Sequence, residues 1–384
     1  MAGERAAEAR KRARTETYYN LDLDPVKLRF SASLGSEYND NVNLSQLQPK
    51  DDFILRPQFG INALWQISQR NSIDFRLNLG YEYYFNEVRP SRVIISGDEN
   101  SGVNFDLFVG DFAINFHDEF SLSQDTSQNP TASGIADIFR LENTLGTRVM
   151  WDLYKVLLEF NYDHYNYIPL DDTFEYLNHA SELGSIRASA LLNPALTAGL
   201  QLGGGLTSYR DDRLSDNQHV SLGPFARFKP SDAMTIRAGV GYVIYWFDPS
   251  SFITNATEQT GLYADLSIDH AATKRTRQTL SIGQSLTTDL NSTPIELFYV
   301  RYGVSLSIIR HWNFRPYLTF ETGRETRGVI QEDLTRYGGG ITASRAITQK
   351  LSGAITYQFL IKESSVPNFD YTQNRLVLNL IYHF

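Results

Sequence analysis

The chain has 384 residues, no cysteine and a formal net charge of −9. Disulfide and thiolate chemistry are therefore absent, and the negative charge argues against broad nucleic-acid binding. Mean hydropathy is −0.32, and no run of about eighteen apolar residues occurs, which excludes a transmembrane helix but not a membrane-spanning strand.

No composition break divides the chain, so it reads as one large domain, 26–384, behind an N-terminal segment, 1–25. Within that segment Ala2–Glu16 is Ala-rich and basic, with Arg5, Arg10, Lys11, Arg12 and Arg14. It reads as a short helix or an uncoupled periplasmic tail, with a partner-docking or plugging element as the functional alternative. Residues 1–20 lack the apolar core of a signal peptide. An exported chain of this kind is expected to have shed its leader earlier.

Strand patterning then begins. The first strand covers Val26–Tyr38 and the second Phe53–Ile67, ending in the tight Ser68–Ser72 turn. The third is the clearest: Ile73, Phe75, Leu77, Leu79, Tyr81, Tyr83 and Phe85 share one face, and Asp74, Arg76, Asn78, Gly80, Glu82 and Asn86 the other. Such strict alternation over a dozen residues is the mark of a strand with one apolar face. Strands are predicted next over 102–109, 112–122, 138–151, 156–167, 177–191, 195–209, 219–228, 235–247, 261–270, 277–288, 297–309, 314–322, 336–344 and 351–361. The last strand runs to the chain end, with Leu376, Leu378, Leu380, Tyr382 and Phe384 on one parity.

Long connections follow the odd strands, at 39–52, 87–101, 124–137, 168–176, 210–217, 248–259, 289–296, 323–334 and 362–371. Short turns follow the even ones. This is the rhythm of an all-β protein, an up-and-down antiparallel transmembrane β-barrel of about 18 strands, with 16 as the alternative count. Both termini and the short turns then lie on the periplasmic side. Aromatics make up 13% of the chain, with 22 Tyr and 23 Phe, and they fall at strand ends. Trp65, Trp151, Phe112, Trp312, Phe314, Tyr382 and Phe384 sit at periplasmic ends, whereas Phe53, Tyr83, Phe85, Phe139, Trp246, Phe298, Phe320 and Phe359 sit at outer ends. Two aromatic belts flanking an apolar band mark a lipid-facing wall. Asp118 breaks the pattern, because it shares parity with Phe112, Ile114, Phe116 and Phe120. The expectation is a bulge near His117–Glu119 that turns it inward; the alternative is that this strand is drawn wrongly.

Several short segments carry a family likeness: Gly35-Ser-Glu-Tyr-Asn-Asp-Asn-Val-Asn-Leu-Ser45, His117-Asp-Glu-Phe120, Asn193-Pro-Ala-Leu-Thr-Ala-Gly-Leu200 and the terminal Phe384. On these the chain resembles the β-barrel porin-2 family of bacterial outer membranes, related to barrels encoded near exopolysaccharide genes, over most of 26–384. The resemblance implies an integral outer-membrane barrel, and it implies no catalytic residues.

Chemistry is sought on the inward face. Inward bases by parity are Lys27, Arg29, Arg56, Arg76, Arg140, Arg148, Lys155, Arg187, Arg227, Arg237, Arg277, Arg301, Arg315, Arg336 and Arg375. Inward acids are Glu37, Asp74, Glu82, Asp106, Glu119, Glu142, Glu159, Asp163, Asp265, Asp269 and Glu321. A basic lining favours anions or polar sugars; the alternative is a set of cross-strand ion pairs that hold the wall in shape. The seven histidines, His117, His164, His179, His219, His270, His311 and His383, show no metal-ligand spacing. Gly203–Gly205 and Gly338–Gly340 lie inside strands and are not phosphate loops. Asn39-Asp40-Asn41 could hold Ca²⁺ through loop oxygens, or be a plain polar loop. No catalytic residue, metal or cofactor is expected.

The functional expectation is a porin-like channel for passive or weakly selective passage of small polar solutes, anionic or saccharide. Loop 124–137, with Gly134, is the candidate constriction. The alternative is a non-enzymatic outer-membrane component of a secretion or surface assembly such as polysaccharide export. The surroundings expected are membrane lipid and lipopolysaccharide, with a periplasmic or surface partner protein under the second reading and no nucleic acid.

Overall fold

The computed structural model describes residues 19–384 apart from 69, 97–100, 128, 136, 252–254, 308, 310 and 328–330. The expected N-terminal helix or tail, Ala2–Glu16, lies outside the described residues. The chain forms β1 (Val26–Asn39), β2 (Asp52–Gln66), β3 (Ser72–Tyr84), β4 in two pieces (Arg92–Ile95 and Gly102–Val109), β5 (Phe112–Ser123), β6 (Arg140–Asp152), β7 (Val156–Pro169), β8 (His179–Asn193) and β9 (Leu196–Tyr209). The second half adds β10 (Asn217–Ser231), β11 (Met234–Phe247), β12 (Thr257–Thr273), β13 (Thr276–Thr288), β14 (Pro294–Leu306), β15 (Trp312–Glu325), β16 (Asp333–Ala346), β17 (Leu351–Ser364) and β18 (Tyr371–His383). A short arm, Leu21–Leu23, folds back on the start of β1.

Each strand pairs antiparallel with its sequence neighbours, and β18 closes on β1 from Ser31↔His383 to Asn39↔Arg375. The result is a closed barrel of 18 strands. Closure removes the two edges an open sheet would present, so the backbone groups of the wall are paired within it, as hydrocarbon demands. The alternation read from the sequence survives as two faces. Leu376, Leu378 and Leu380 on β18 are 45–48% exposed; a continuous skin of such side chains is stable only against lipid.

Three sequence expectations are corrected here. First, β5 carries no bulge: it stays in register with β6 from Phe112↔Trp151 to Ser123↔Arg140. Asp118 keeps the outward parity of Phe116 and Phe120, and its carboxylate accepts from the Asn143 amide on the same face. A local amide donor costs less than a bulge, which would unpair backbone groups in hydrocarbon. Second, 87–101 is not all loop. Arg92–Ile95 pairs with the outer half of β3, and Gly102–Val109 with its inner half, so the two pieces act as one interrupted strand. Four residues after Pro90 are too few to show a period. Third, Lys155 is not on the wall. Lys155 N–H donates to the Leu153 carbonyl at 2.9 Å in the turn between β6 and β7, which takes it out of the strand's parity.

Most of the apolar clusters involve the long loops, and one, Val243, Tyr245, Phe247 and Leu286 with Tyr263 against it, lies on the strands β11–β13. Ile138, Tyr167, Leu177 and Leu214 form one, capped by Phe174 and Tyr176 of the 3-10 turn Asp172–Leu177. Leu44, Ala132 and Tyr371 form another, joining the loops after β1 and β5 to the start of β18.

Candidate functional site

The register assigns faces residue by residue. One parity carries Glu37, Arg56, Glu82 and Arg375, which meet each other across β1, β2, β3 and β18. Followed around the barrel, the same parity carries Arg29, Arg76, Arg148, Arg187, Arg237, Arg301, Arg336, Glu142 and Glu159. Most are engaged: Arg76 with Asp74 at 2.8 Å, Glu142 with Arg140 at 2.6 Å, Arg237 with Asp269 at 2.5 Å and Arg301 with Glu321 at 2.9 Å. Arg29 meets the His383 ring at 3.2 Å. Arg187 stands opposite Glu159 in register without an ion pair to it. Arg148, Arg227, Arg277 and Arg315 form no ion pair among the described residues.

The opposite parity carries the belt aromatics. Trp151 stacks on Phe112 at 5.3 Å and Trp312 on Phe314 at 5.9 Å, while Tyr382 meets Phe384 edge-on at 5.2 Å. Trp246 Nε1 donates to Glu258 at 3.1 Å near the outer rim, and Trp65 is exposed at the opposite rim. A ring with an apolar body and a donor at its tip suits that boundary. Phe139 lies outside any strand, under the Arg92 guanidinium at 4.4 Å.

The chemistry concentrates where the loop after β5 turns into the barrel. Asp125 closes an Asx-type turn on Ser127, and Asn129 another on Thr131, which bends the segment tightly. The segment then reaches strands on a different part of the wall. Arg336 of β16 donates to the Ser127 carbonyl at 3.0 Å. Lys362 of β17 donates to the Thr131 carbonyl at 3.2 Å and to Ser133 Oγ at 2.9 Å. Gly134 N–H donates to the Leu44 carbonyl, and Ser133 Oγ to the Phe369 carbonyl, both at 2.9 Å. Loop 124–137 is thus anchored at both roots and along its length.

Around it runs an alternating chain of charge. Arg56 bonds Glu82 through Nε and Glu37 through Nη1, both at 2.5 Å. Arg375 grips Glu37 with two nitrogens, at 2.9 and 3.0 Å, and reaches Asp125 at 3.5 Å. Arg89 approaches Asp125 at 3.6 Å from the loop after β3. Burial raises the Asp125 carboxyl, but Arg375 and Arg89 outweigh it and hold it well below the usual range. For Arg89 burial pulls the other way, and Asp125 outweighs it. Bidentate pairs of this kind fix geometry as well as charge.

Asp125, Arg89, Lys362 and Glu332 escaped the sequence reading. The first two sit in loops, where parity says nothing. Lys362, fully buried and paired with Glu332 at 2.8 Å, lies one residue beyond the predicted end of its strand. Its alternation with the outward Ile361 could have extended that strand. The run Asn39-Asp40-Asn41 is used internally: Asn41 donates to the Ser45 and Thr372 carbonyls, and Asp40 accepts from Asn374. Among the described residues no group of three or more His, Asp or Glu is placed to hold a metal ion.

No protein-family model and no curated protein sequence matches the chain. Solved outer-membrane proteins share its fold. OpdK of Pseudomonas aeruginosa superposes with a TM-score of 0.53 at 11% identity, covering 93% of this chain and 99% of its own. OpdL of the same organism gives 0.52 at 12%, covering 94% and 100%. OccAB4 of Acinetobacter baumannii gives 0.51 at 13%, covering 93% and 98%. At such identity the likeness is one of fold, and the fold is that of integral outer-membrane β-barrels.

Proposed function

We propose that this protein is a passive outer-membrane channel for small polar solutes, with loop 124–137 setting its narrowest passage and with a preference for anions. The observation that carries the reading is the loop's attachment across the interior, from β5 to Arg336 and Lys362. An 18-strand barrel otherwise encloses a wide aqueous channel, and an inward loop converts it into a sieve. Asp125 at the root of the loop is held between Arg89 and Arg375, which gives the passage a fixed outline. The anion preference draws support from Arg148, Arg227, Arg277 and Arg315, inward-parity guanidinium groups without carboxylate partners among the described residues. Structural neighbours point the same way at the level of solute size: OpdK has been solved with vanillate and OccK2 (OpdF) in complex with glucuronate.

The test is single-channel recording of the reconstituted chain. The wild type conducts in small steps, with a reversal potential favouring anions, and deletion of 127–135 raises the step size several-fold. A cation-favouring reversal potential overturns the preference. A silent barrel that copurifies with a partner protein overturns the channel and favours the assembly role.

A further inference from the structure

On the periplasmic side of the constriction the wall β7–β12 holds a cavity of about 430 Å³. We infer that it is a binding subsite for a hydroxylated six-membered ring bearing a carboxylate, that is, a sugar acid. The inference rests on the channel reading for its biological sense, but not for its test.

The carboxylate end is defined by Arg227 and Arg237. They are direct cross-strand partners on β10 and β11 and both line the cavity. Like charges facing each other across a ladder are unfavourable. Arg237 is relieved by Asp269 at 2.5 Å, whereas Arg227 has no carboxylate partner among the described residues. The pair therefore lacks one negative charge, and a ligand carboxylate between two forked guanidinium groups supplies it.

A third guanidinium is held ready beside them. Arg187 lies over the Phe225 ring at 4.3 Å, and its Nε is buried without a partner. Phe225 is itself laid against the wall: a Cβ on Gly199 would fall 2.9 Å from its ring. Glycine at that position is what lets the ring lie flat, so the stack Gly199–Phe225–Arg187 fixes the guanidinium by packing rather than by an acid.

The ring and hydroxyl ends follow. Tyr263 lies flat over Gly241 and Gly223, where added Cβ atoms would sit 2.4 and 2.6 Å from its hydroxyl. Packed on its far side by the Val243–Tyr245–Phe247 cluster, it lines the cavity and offers aromatic surface to the C–H face of a saturated ring. Glu159 and Asp265 line the same cavity without ion pairs among the described residues. Two acceptors facing an apolar plate suit ligand hydroxyls, and they disfavour an acid with no hydroxyl to donate.

Calorimetry on the detergent-solubilised full chain tests this with D-galacturonate, D-galactose and benzoate. D-galacturonate binds; galactose, lacking the carboxylate, and benzoate, lacking ring hydroxyls, bind at least tenfold more weakly. Arg227→Gln weakens galacturonate at least tenfold and leaves galactose unchanged. That substitution removes a like-charge contact, so the barrel is expected to fold. Equal binding of the three probes overturns the inference, as does an Arg227→Gln protein that binds galacturonate like the wild type. A conducting barrel that fails to bind galacturonate removes the subsite alone, and a binding barrel that fails to conduct removes the channel reading alone.

Discussion

Replacing Glu37 by Gln tests whether the charged chain around loop 124–137 is a single unit. Glu37 is 1% exposed and, among the described residues, is the only group that touches both Arg56 and Arg375, at 2.5 Å and at 2.9 and 3.0 Å. Its loss leaves two guanidinium groups sharing Glu82 and Asp125. Breaking a buried ion pair costs about 3–5 kcal/mol. Gln keeps one acceptor oxygen in place, so the lower end, about 3 kcal/mol, is expected. With a denaturant slope of about 3 kcal/mol/M, the urea midpoint in lipid vesicles falls by about 1 M. Tryptophan fluorescence follows the transition through Trp65, Trp151, Trp246 and Trp312. The same substitution leaves the three arginines Arg56, Arg89 and Arg375 against two acids, so the reversal potential moves further toward anions. Glu37→Asp keeps the charge and restores most of the selectivity. An unchanged midpoint together with an unchanged reversal potential would refute the reasoning.

Other outcomes follow from single contacts. Asp118→Asn removes a carboxylate from the outward face while keeping an amide beside Asn143; stability in vesicles rises by about 1 kcal/mol, and a fall would show that Asp118 is wet. Gly146→Val places a Cβ 2.1 Å from Asp163 Oδ1 and 2.7 Å from His117 Nε2, so it disrupts the 2.9 Å His117–Asp163 bond across β6. The expected loss is about 2 kcal/mol by urea titration, against about 1 kcal/mol for Gly134→Ala, where a Cβ would meet nothing within 4 Å and only the left-handed backbone is strained. Burial pushes Asp289, in the loop after β13, up to about 6 despite amide donors from Thr293 and Asn291. Its folded-state value exceeds the ordinary one, so its favourable contribution is complete below about pH 4 and is lost as pH rises through about 6. Asp289 shares its site with the Glu325 carboxyl, so protease resistance of that loop should fall between pH 4 and 7, and Asp289→Asn together with Glu325→Gln should flatten the profile.

The barrel was legible because its cause is repetitive. Each wall strand faces lipid on one side and water on the other, so the requirement recurs at every second residue, as in Ile73–Phe85 and Leu376–Phe384. Strand number, the order of long and short connections and the inward parity of Arg56, Arg375 and Glu82 all follow from that period. It fails where the period is too short or absent. Arg92–Ile95 gives four residues, Lys155 sits in a turn, and Asp118 obeys parity against its own chemistry because Asn143, distant in sequence, satisfies it.

The course of loop 124–137 belongs to tertiary structure alone. Nothing in Gln124–Asp137 states that it bends inward. Its course is decided by Arg375 and Arg89 reaching Asp125, Arg336 reaching Ser127 and Lys362 reaching Thr131, pairs separated by up to 250 residues. The cluster of Arg187, Arg227 and Arg237 likewise needs the register of four strands to exist. Solvent contrast acts on every residue locally and leaves its imprint in the order of the amino acids. The path of that loop is set by specific hydrogen bonds between remote segments, and those come into being only when the ring has closed.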